Sequence, residues 1–563
     1  MNLPFSRQTR SLTIIAQDPA VRSNGAILRA KVEVPYEILA PGPRGYRVHV
    51  VDYDTSTDTL YKPLLIEDYG DPFADASDAQ LRSDPRLHQQ NVYAIVMCTL
   101  ARFEAALGRR VPWGFRSHQI KVVPHAFADA NAFYAEDEEA LLFGYFQGRS
   151  GRVYSCLSHD VVAHETAHAL LDGVRGRFTD PSSPDQAAFH EGFADVVALL
   201  SVFALPGVVG ALLQRDGKHV ESRVIAKKLI DRHALARSSL LGMAEQMGQE
   251  MPSLRGDVLR RSVRIPPSRN MLKSPEYAEP HDRGEVLVAA LLNAFLDAWV
   301  TRLEKLGQVS PGLVDLSRVI EDGAEAADTL LTMAIRALDY LPPVDLEFNE
   351  FLSALLTADR EIRPNDTKYD FRRVLRERCR RYGIDQAAGT DDDGCWQPPP
   401  QGLDDSRTHF ESLQRSPEEV FRFMWDNRAA LGLDADAYTN VPYVRPVVRV
   451  GPDGFVLRET VAEYTQLLEL EPPELRRMGI RVPKDMPADQ RVKIYGGGTL
   501  VFDERGKLKF HVHNALRNSE RQSSRLQYLW EQGALRPGTG RLRGFANLHR
   551  ARAMNMRRPS EEW

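Results

Sequence analysis

The chain is 563 residues long, with 43% hydrophobic and 26% charged residues, and this composition excludes a chain that is disordered or fibrous throughout. Its length predicts about two to four domains. The 72 lysines and arginines nearly balance the 77 aspartates and glutamates, which leaves a formal net charge of −5. No overall field therefore attracts nucleic acid or anionic lipid, and we expect neither nucleic acid nor a membrane as a partner.

The cysteine content and the N-terminal segment indicate a reducing compartment. The chain has four cysteines, Cys98, Cys156, Cys379 and Cys395, and no two of them form a CxxC pair. Because four thiols in such a length do not make a disulfide scaffold, we predict buried or unreactive thiols. The first 25 residues lack the stretch of about 7–15 apolar residues that a secretion signal needs. These features predict a cytoplasmic protein.

Residues 1–158 are predicted to form a β-rich N-terminal region. Alternating apolar residues and turn signals indicate strands within 12–65, and further strands are predicted at 119–123 and 140–146. Between them, apolar residues at near-helical spacing predict a helix over 89–107.

Residues 159–385 are predicted to form a helical lobe, because long segments of apolar periodicity dominate them. The apolar run Val196–Leu213 holds 18 residues without a charge, but Pro206 interrupts it. We therefore predict two buried helices that meet at a break rather than a membrane span. Together the two regions predict an α+β fold.

The helical lobe opens with an HExxH motif. On a helix, His164 and His168 lie one turn apart on the same face, with Cβ atoms about 5–6 Å apart. This separation suits two imidazoles that converge on one tetrahedral zinc ion. Glu165 is adjacent and is the predicted general base that takes a proton from a metal-activated water. Asp160 is predicted to cap the start of this helix, and Gly173 its end.

A third metal ligand is expected from a neighbouring helix. Glu191 follows His168 by 23 positions and shares a helix face with Asp195, beside an apolar stripe. We predict that Glu191 supplies a carboxylate ligand and that Asp195 accepts the free ring N–H of a ligand histidine. The alternative is a solvated helix face, which the adjacent apolar stripe and the upstream HExxH motif disfavour.

Residues 386–406 contain three consecutive aspartates, three consecutive prolines and three glycines, and this composition predicts a linker that buries little. Residues 407–563 are predicted to form a C-terminal α+β module whose role the sequence does not give. Substrate recruitment or restraint of activity is the hypothesis, and the module is also the candidate surface for a protein partner. Within it, Ser416-Pro417-Glu418-Glu419 predicts a capped helix start.

Three features of this module leave alternatives. Gly496–Gly498 could cradle a phosphate, but a hairpin connection between two strands is the preferred interpretation. His511 and His513 share one strand face, and a half-exposed pair is preferred over a metal site. Residues 536–558 are rich in arginine and contain no acidic residue. The preferred interpretation is a solvated tail, and the alternative is a surface that binds nucleic acid or an acidic partner.

The motifs resemble those of the thermolysin-like zinc metallopeptidases, the gluzincins, in which HExxH is followed by a helix with ExxxD. Asp160–Glu165 is similar to the family's entry into its active-site helix, and Glu191 and Asp195 match the ExxxD pair. The resemblance covers roughly residues 90–340. It implies a β-rich lobe and a mainly helical lobe with the zinc helix between them.

The resemblance also implies roles for residues outside the zinc motif. Asn131, Ala132 and Phe133 resemble the family's substrate-binding edge strand, which lines the cleft and holds the peptide backbone. His281 and Gly284 match the family's H-x-x-G motif, and His281 would hydrogen-bond the oxyanion of the tetrahedral intermediate. The alternative for His281 is a loop histidine without a role.

The sequence also departs from the family pattern. The family's tyrosine about eleven residues beyond the second histidine has no counterpart in Arg177–Asp180, so the second oxyanion donor is absent or comes from elsewhere, with Tyr277 as a candidate. Asp160 matches a family calcium ligand, but no acidic cluster completes that site after Asp195. We therefore expect one zinc ion and no calcium. The family's usual secretion signal and propeptide are not evident.

These patterns predict a zinc-dependent metallopeptidase that acts on a protein or peptide substrate. An endopeptidase is preferred, because the chain lacks the G-x-M-E-N type of segment with which related aminopeptidases hold a substrate amino terminus. The alternative is a weak or inactive peptidase fold that serves as a binding or regulatory module. The presence of Glu165 argues against that alternative, since a structural zinc site needs no general base.

Overall fold

Strands dominate the chain up to Tyr154, and helices dominate it from His159 to Arg381, in the order that the residue patterns predict. The structure is a computed structural model that describes residues 8–23, 25–148, 151–180, 182–216, 223–237, 263–451 and 453–535. The fold is mixed α+β, as predicted. The arginine-rich segment 536–558 lies outside the described residues.

The N-terminal region combines short strands with one long helix. Its strands are β1 (Thr9–Ile15), β2 (Arg22–Ser23), β3 (Ala26–Ile27), β4 (Arg29–Pro35), β5 (Val48–Val50), β6 (Tyr53–Asp54), β7 (Thr59–Leu60), β8 (Ile120–Phe127), β9 (Ala132–Ala135), β10 (Ala140–Gly148) and β11 (Gly151–Tyr154). Its helices are α1 (Asp78–Ser83) and α2 (Pro85–Leu107). Asp84 caps α2, and Gly108 ends it with a φ of 69°.

The largest sheet of this region has the strand order β11-β10-β8-β5, and β9 pairs antiparallel with β10. In β8 the side chains of Ile120 and Val122 are buried and that of Lys121 is exposed, as expected for a strand with one face on the core. β9 lies at an edge of this sheet, next to the first helix of the helical lobe.

The helical lobe packs long apolar helices against one another. Its helices are α3 (His159–Val174), α4 (Pro184–Phe203), α5 (Pro206–Asp216), α6 (Arg232–Arg237), α7 (Pro280–Glu304), α8 (Leu316–Ala337), α9 (Phe348–Ile362) and α10 (Phe371–Arg381), with a strand pair β12 (Val224–Ala226) and β13 (Leu313–Asp315). The predicted break at Pro206 is confirmed, because α4 and α5 meet there. Among the described residues, α7 is long and apolar enough to cross a membrane, but 78% of its most apolar window is buried inside the fold.

The C-terminal module is a four-stranded antiparallel sheet with short helices. Its helices are α11 (Phe410–Leu413), α12 (Pro417–Asp426), α13 (Pro472–Arg477) and α14 (Ser519–Glu531). Its strands, in sheet order, are β14 (Tyr438–Val450), β15 (Val456–Leu470), β16 (Val492–Phe502) and β17 (Leu508–Asn514). Ser416 caps α12 by accepting a hydrogen bond from the Glu419 N–H, as predicted.

The glycine run Gly496–Gly498 differs from its predicted role as a hairpin connection. All three glycines lie inside β16, which runs unbroken from Val492 to Phe502. A Cβ at Gly496 would lie 2.6 Å from the Leu516 backbone nitrogen, and one at Gly498 would lie 2.7 Å from Cβ of His513. Close approach of neighbouring atoms, and not a turn, therefore accounts for the missing side chains.

The interpretation of residues 386–406 as a linker that buries little is wrong for its first half. Cys395 is fully buried and Trp396 is 8% exposed, and both pack against the main hydrophobic core. The Trp396 indole N–H donates a 2.9 Å hydrogen bond to the Tyr340 carbonyl oxygen. Aspartate and proline dominate the composition of the segment and predict exposure, although two of its side chains, Cys395 and Trp396, are buried and anchor it.

Buried ion pairs join the C-terminal module to the helical lobe. Arg175, the residue that follows α3, donates hydrogen bonds to Glu463 of β15 at 2.8 Å and to Thr499 of β16 at 3.2 Å. Arg449 of β14 is fully buried and pairs with Asp339, just beyond α8. The C-terminal module therefore packs directly against the helical lobe at the end of α3.

Candidate metal centre

The helix α3 that carries the HExxH motif is almost entirely buried. Ser158 is its N-cap residue, so the prediction that Asp160 caps it is wrong. Asp160 instead lies in the first turn, where the helix dipole favours a negative charge. Gly173 lies within the last turn, and a Cβ there would be 2.0 Å from the Pro112 carbonyl oxygen. Gly173 therefore allows the backbone at Pro112 to approach α3 closely, and it does not end the helix.

The two motif histidines face the same point from adjacent turns of α3. The Nε2 atoms of His164 and His168 lie 2.9 Å apart, and their rings are perpendicular. Both side chains are buried, with at most 3% of either residue exposed. The helical spacing predicted this convergence, and the structure has it.

Helix α4 brings Glu191 to the same point. Its Oε2 atom lies 3.6 Å from Nε2 of His164, and its Oε1 atom lies 4.0 Å from Nε2 of His168. One donor atom from each of the three side chains lies within 4.8 Å of the others, and all three residues are buried. This cluster could hold a metal ion.

The second nitrogen of each histidine also has a partner. Nδ1 of His164 lies 2.8 Å from Oδ1 of Asp195, which is one turn beyond Glu191 on α4. That contact is the one predicted for Asp195, and it orients the ring so that Nε2 faces the cluster. Nδ1 of His168 lies 2.8 Å from Nδ1 of His190, and the two rings stack. No sequence pattern pointed to a role for His190, although it is adjacent to Glu191.

Two glycines let α4 and α7 cross closely beside the cluster. A Cβ at Gly192 would lie 2.9 Å from the carbonyl oxygen of Gly284, so neither helix tolerates a side chain at the crossing. The crossing brings His281, in the first turn of α7, to Glu191, with 3.3 Å between His281 Nε2 and Glu191 Oε1. Nδ1 of His281 lies 2.8 Å from Oε1 of Glu279, the N-cap residue of α7. His281 therefore lies beside the cluster of His164, His168 and Glu191.

Glu165 is fully buried between α3 and the edge strand β9. Its Oε2 atom accepts a 3.0 Å hydrogen bond from the backbone N–H of Tyr134. The phenol of Tyr134 donates a 3.0 Å hydrogen bond to Asp172, near the end of α3. Burial, with a further contribution from the charge of Glu136, raises the pKa of Asp172 to about 7.

The predicted substrate-binding residues lie at the start of β9. Asn131 precedes the strand, and its side-chain oxygen accepts a 2.9 Å hydrogen bond from the Ala132 N–H. Ala132 and Phe133 are buried, with 5% and 7% of their surface exposed, and Phe133 pairs in register with Leu142 of β10. Tyr277 is buried in the short turn before α7, and its role as a second oxyanion donor stays a prediction.

No known family profile matches this chain. A comparison with curated proteins gives no match either.

Proposed function

We propose that the protein is a zinc-dependent metallopeptidase, and specifically an endopeptidase, with its centre at His164, His168 and Glu191. The observation that carries this proposal is the convergence of these three donors beside a buried glutamate, Glu165. A structural zinc site is closed by four protein ligands, whereas a catalytic site has three and keeps one position open. The donor set of two imidazoles and one carboxylate matches the catalytic type.

The donor chemistry fits zinc. Two imidazole nitrogens and a carboxylate oxygen are ligands that Zn²⁺ accepts at about 2.0–2.2 Å. The His164–Asp195 contact is the usual outer support for a ligand histidine, because the carboxylate holds the ring N–H and increases the basicity of the other nitrogen. When bound, zinc would polarise the scissile carbonyl and lower the pKa of a water molecule towards about 7.

Glu165 performs the proton transfers in this proposal. It accepts a proton from the attacking water and delivers it to the amine that leaves. The carboxylate is held by the Tyr134 N–H at 3.0 Å, which fixes one oxygen. The bond also restricts rotation of the side chain, so that proton transfer starts from one orientation.

His281 stabilises the oxyanion that develops on the substrate carbonyl. Its Nε2 atom is 3.3 Å from Glu191, which keeps the imidazole beside the donor cluster. Glu279 lies at Nδ1 and fixes the plane of the ring. A donor of this type contributes about 2.7–4 kcal/mol to transition-state binding.

An extended peptide is the proposed substrate. Edge strands bind extended chains by adding a strand, with affinity from main-chain hydrogen bonds and specificity from side-chain pockets. β9, with Asn131, Ala132 and Phe133, is an edge strand and is bonded directly to the general base through Tyr134. This arrangement suits cleavage of a bond within an extended chain.

A chelation experiment tests the proposal against a non-enzymatic peptidase fold. The full chain is incubated with a peptide library, then stripped with a chelator, and then supplied with zinc. We expect cleavage at internal bonds that the chelator abolishes and zinc restores. The His168→Ala variant should lose both zinc and cleavage. No cleavage of any peptide by the zinc-loaded protein would favour a binding or regulatory module instead.

A further inference from the structure

A second cluster of metal-binding side chains lies in the N-terminal region, on elements other than α3, α4 and α7. It consists of His88 on α2, His125 on β8 and Cys156 in the turn that leads into α3. Each of the three residues is at most 1% exposed. One donor atom from each lies within 4.8 Å of the others. A buried site with two imidazoles and a thiol is therefore present in addition to the proposed zinc centre.

The two histidines of this cluster face each other as those of the HExxH motif do. Nδ1 of His88 lies 2.7 Å from Nε2 of His125, compared with 2.9 Å between the Nε2 atoms of His164 and His168. The ring of Tyr154 packs on both, with centroid distances of 4.8 Å to His88 and 5.2 Å to His125. This aromatic cover contributes to keeping water from the three donors.

An outer layer of side chains fixes the orientation of His125. Its Nδ1 atom lies 2.8 Å from Oδ1 of Asp52, which is buried. The other carboxylate oxygen of Asp52 accepts a 2.9 Å hydrogen bond from the Gln89 side chain, and Gln89 in turn accepts from the Leu64 N–H. Because Asp52 accepts a hydrogen bond from the Nδ1–H of His125, the Nε2 lone pair of His125 points at the cluster. The same carboxylate–histidine arrangement supports His164 through Asp195.

We propose that His88, His125 and Cys156 bind a second metal ion of the zinc class, with an enclosed water molecule in the fourth position that these three donors leave, and that this ion positions α3. Two nitrogens and a thiolate are donors that suit Zn²⁺ over Mg²⁺ or Ca²⁺, which select oxygen. The ion would join α2, β8 and the turn at Cys156, three residues before α3 begins at His159. Because such an ion binds only the folded chain, its binding stabilises this junction.

Cobalt substitution tests this proposal separately from the proposed function. A thiolate bound to Co²⁺ gives a near-ultraviolet charge-transfer band. The cluster of His164, His168 and Glu191 contains no sulfur, so it cannot produce that band. We expect two cobalt ions per full-length chain and a thiolate band that persists in a His164→Ala/His168→Ala variant, which should keep one ion.

Two serine variants identify the thiol that is responsible. Cys156→Ser should remove the band and one metal ion per chain. Cys98→Ser changes a cysteine that is outside the cluster, and this variant should keep the thiolate band and both metal ions. If Cys156→Ser does not fold, X-ray absorption of the zinc-loaded wild-type protein decides, with a sulfur neighbour expected at about 2.3 Å. A wild-type protein without a thiolate band and without a sulfur neighbour would overturn the proposal and leave a hydrogen-bonded Asp52–His125–His88 chain.

Discussion

The backbone N–H of Tyr134 donates a 3.0 Å hydrogen bond to Oε2 of Glu165, so the edge strand β9 is bonded directly to the proposed general base. The phenol of the same tyrosine bonds Asp172, about two helical turns further along α3. One residue of β9 thus holds α3 at two points. The strand that would receive a substrate and the glutamate that would act on it therefore keep a fixed relative position.

Asp195→Asn should weaken zinc binding by about 10–100-fold, because the carboxylate no longer orients His164 through its Nδ1 atom. Zinc affinity is measured by competition with a chromophoric chelator. Asp328→Asn is the matched control, since Asp328 is an exposed aspartate on α8 that pairs with Arg102. Equal zinc affinities for the two variants would contradict the proposed support of His164.

His281→Ala should lower kcat by about 10²–10³-fold and change KM little, because the oxyanion forms only after the water attacks. Zinc content should stay near that of the wild type, since His281 is not among the three proposed ligands. Steady-state kinetics and metal analysis check both points, with the exposed His118→Ala as the control. A His281→Ala variant with the kcat of the wild type would show that His281 does not stabilise the oxyanion.

Asp172→Asn should change how stability depends on pH. Folding raises the pKa of Asp172 from 3.8 to about 7, so between these values the folded state holds a proton that the unfolded state has lost. The stability of the wild type should therefore fall relative to the variant as pH rises through this range, by at most about 1.4 kcal/mol per pH unit.

Urea unfolding below, within and above that pH range measures the effect of Asp172→Asn. The difference in the free energy of unfolding should level off above pH 7, where Asp172 is ionised in both states. Parallel stability profiles across the whole range would show that the carboxyl group does not titrate as described.

Arg175→Met should destabilise the protein by about 3–5 kcal/mol, because the buried Glu463 would lose the guanidinium that is hydrogen-bonded to it. The control is Arg318→Met, which removes an exposed arginine that pairs with Glu321 across one helical turn. Chemical unfolding measures the free energy of unfolding of both variants. A loss below about 1 kcal/mol for Arg175→Met would mean that the contact between the C-terminal sheet and the end of α3 adds little to stability.

The sequence predicts the convergence of His164, His168 and Glu191 because the spacing within each helix is local. His164 and His168 are one helical turn apart, and Glu191 and Asp195 repeat that relation on the next helix, so helix geometry alone fixes which side chains share a face. The position of His281 followed only from a family resemblance. Its true cause is the close crossing at Gly192 and Gly284, which no single-sequence pattern reveals.

Tertiary contacts also explain what the sequence did not predict. His88, His125 and Cys156 come from a helix, a strand and a turn, far apart in the chain, so no local spacing marks them as a group. The glycine run in β16 has the composition of a turn, but atoms of neighbouring segments occupy the space where its side chains would be. Trp396 anchors a segment whose overall composition predicts exposure.

The measurement that tests the central claim most directly is peptide cleavage by Glu165→Gln, made beside zinc analysis of the same sample. Glutamine preserves the size of the side chain but cannot accept the proton. We predict wild-type zinc content and a loss of kcat of about 10²–10⁴-fold or more. Glu138→Gln, an exposed glutamate in the turn after β9, should behave as the wild type. Undiminished cleavage by the zinc-loaded Glu165→Gln protein would contradict the assignment of this site as a metallopeptidase centre.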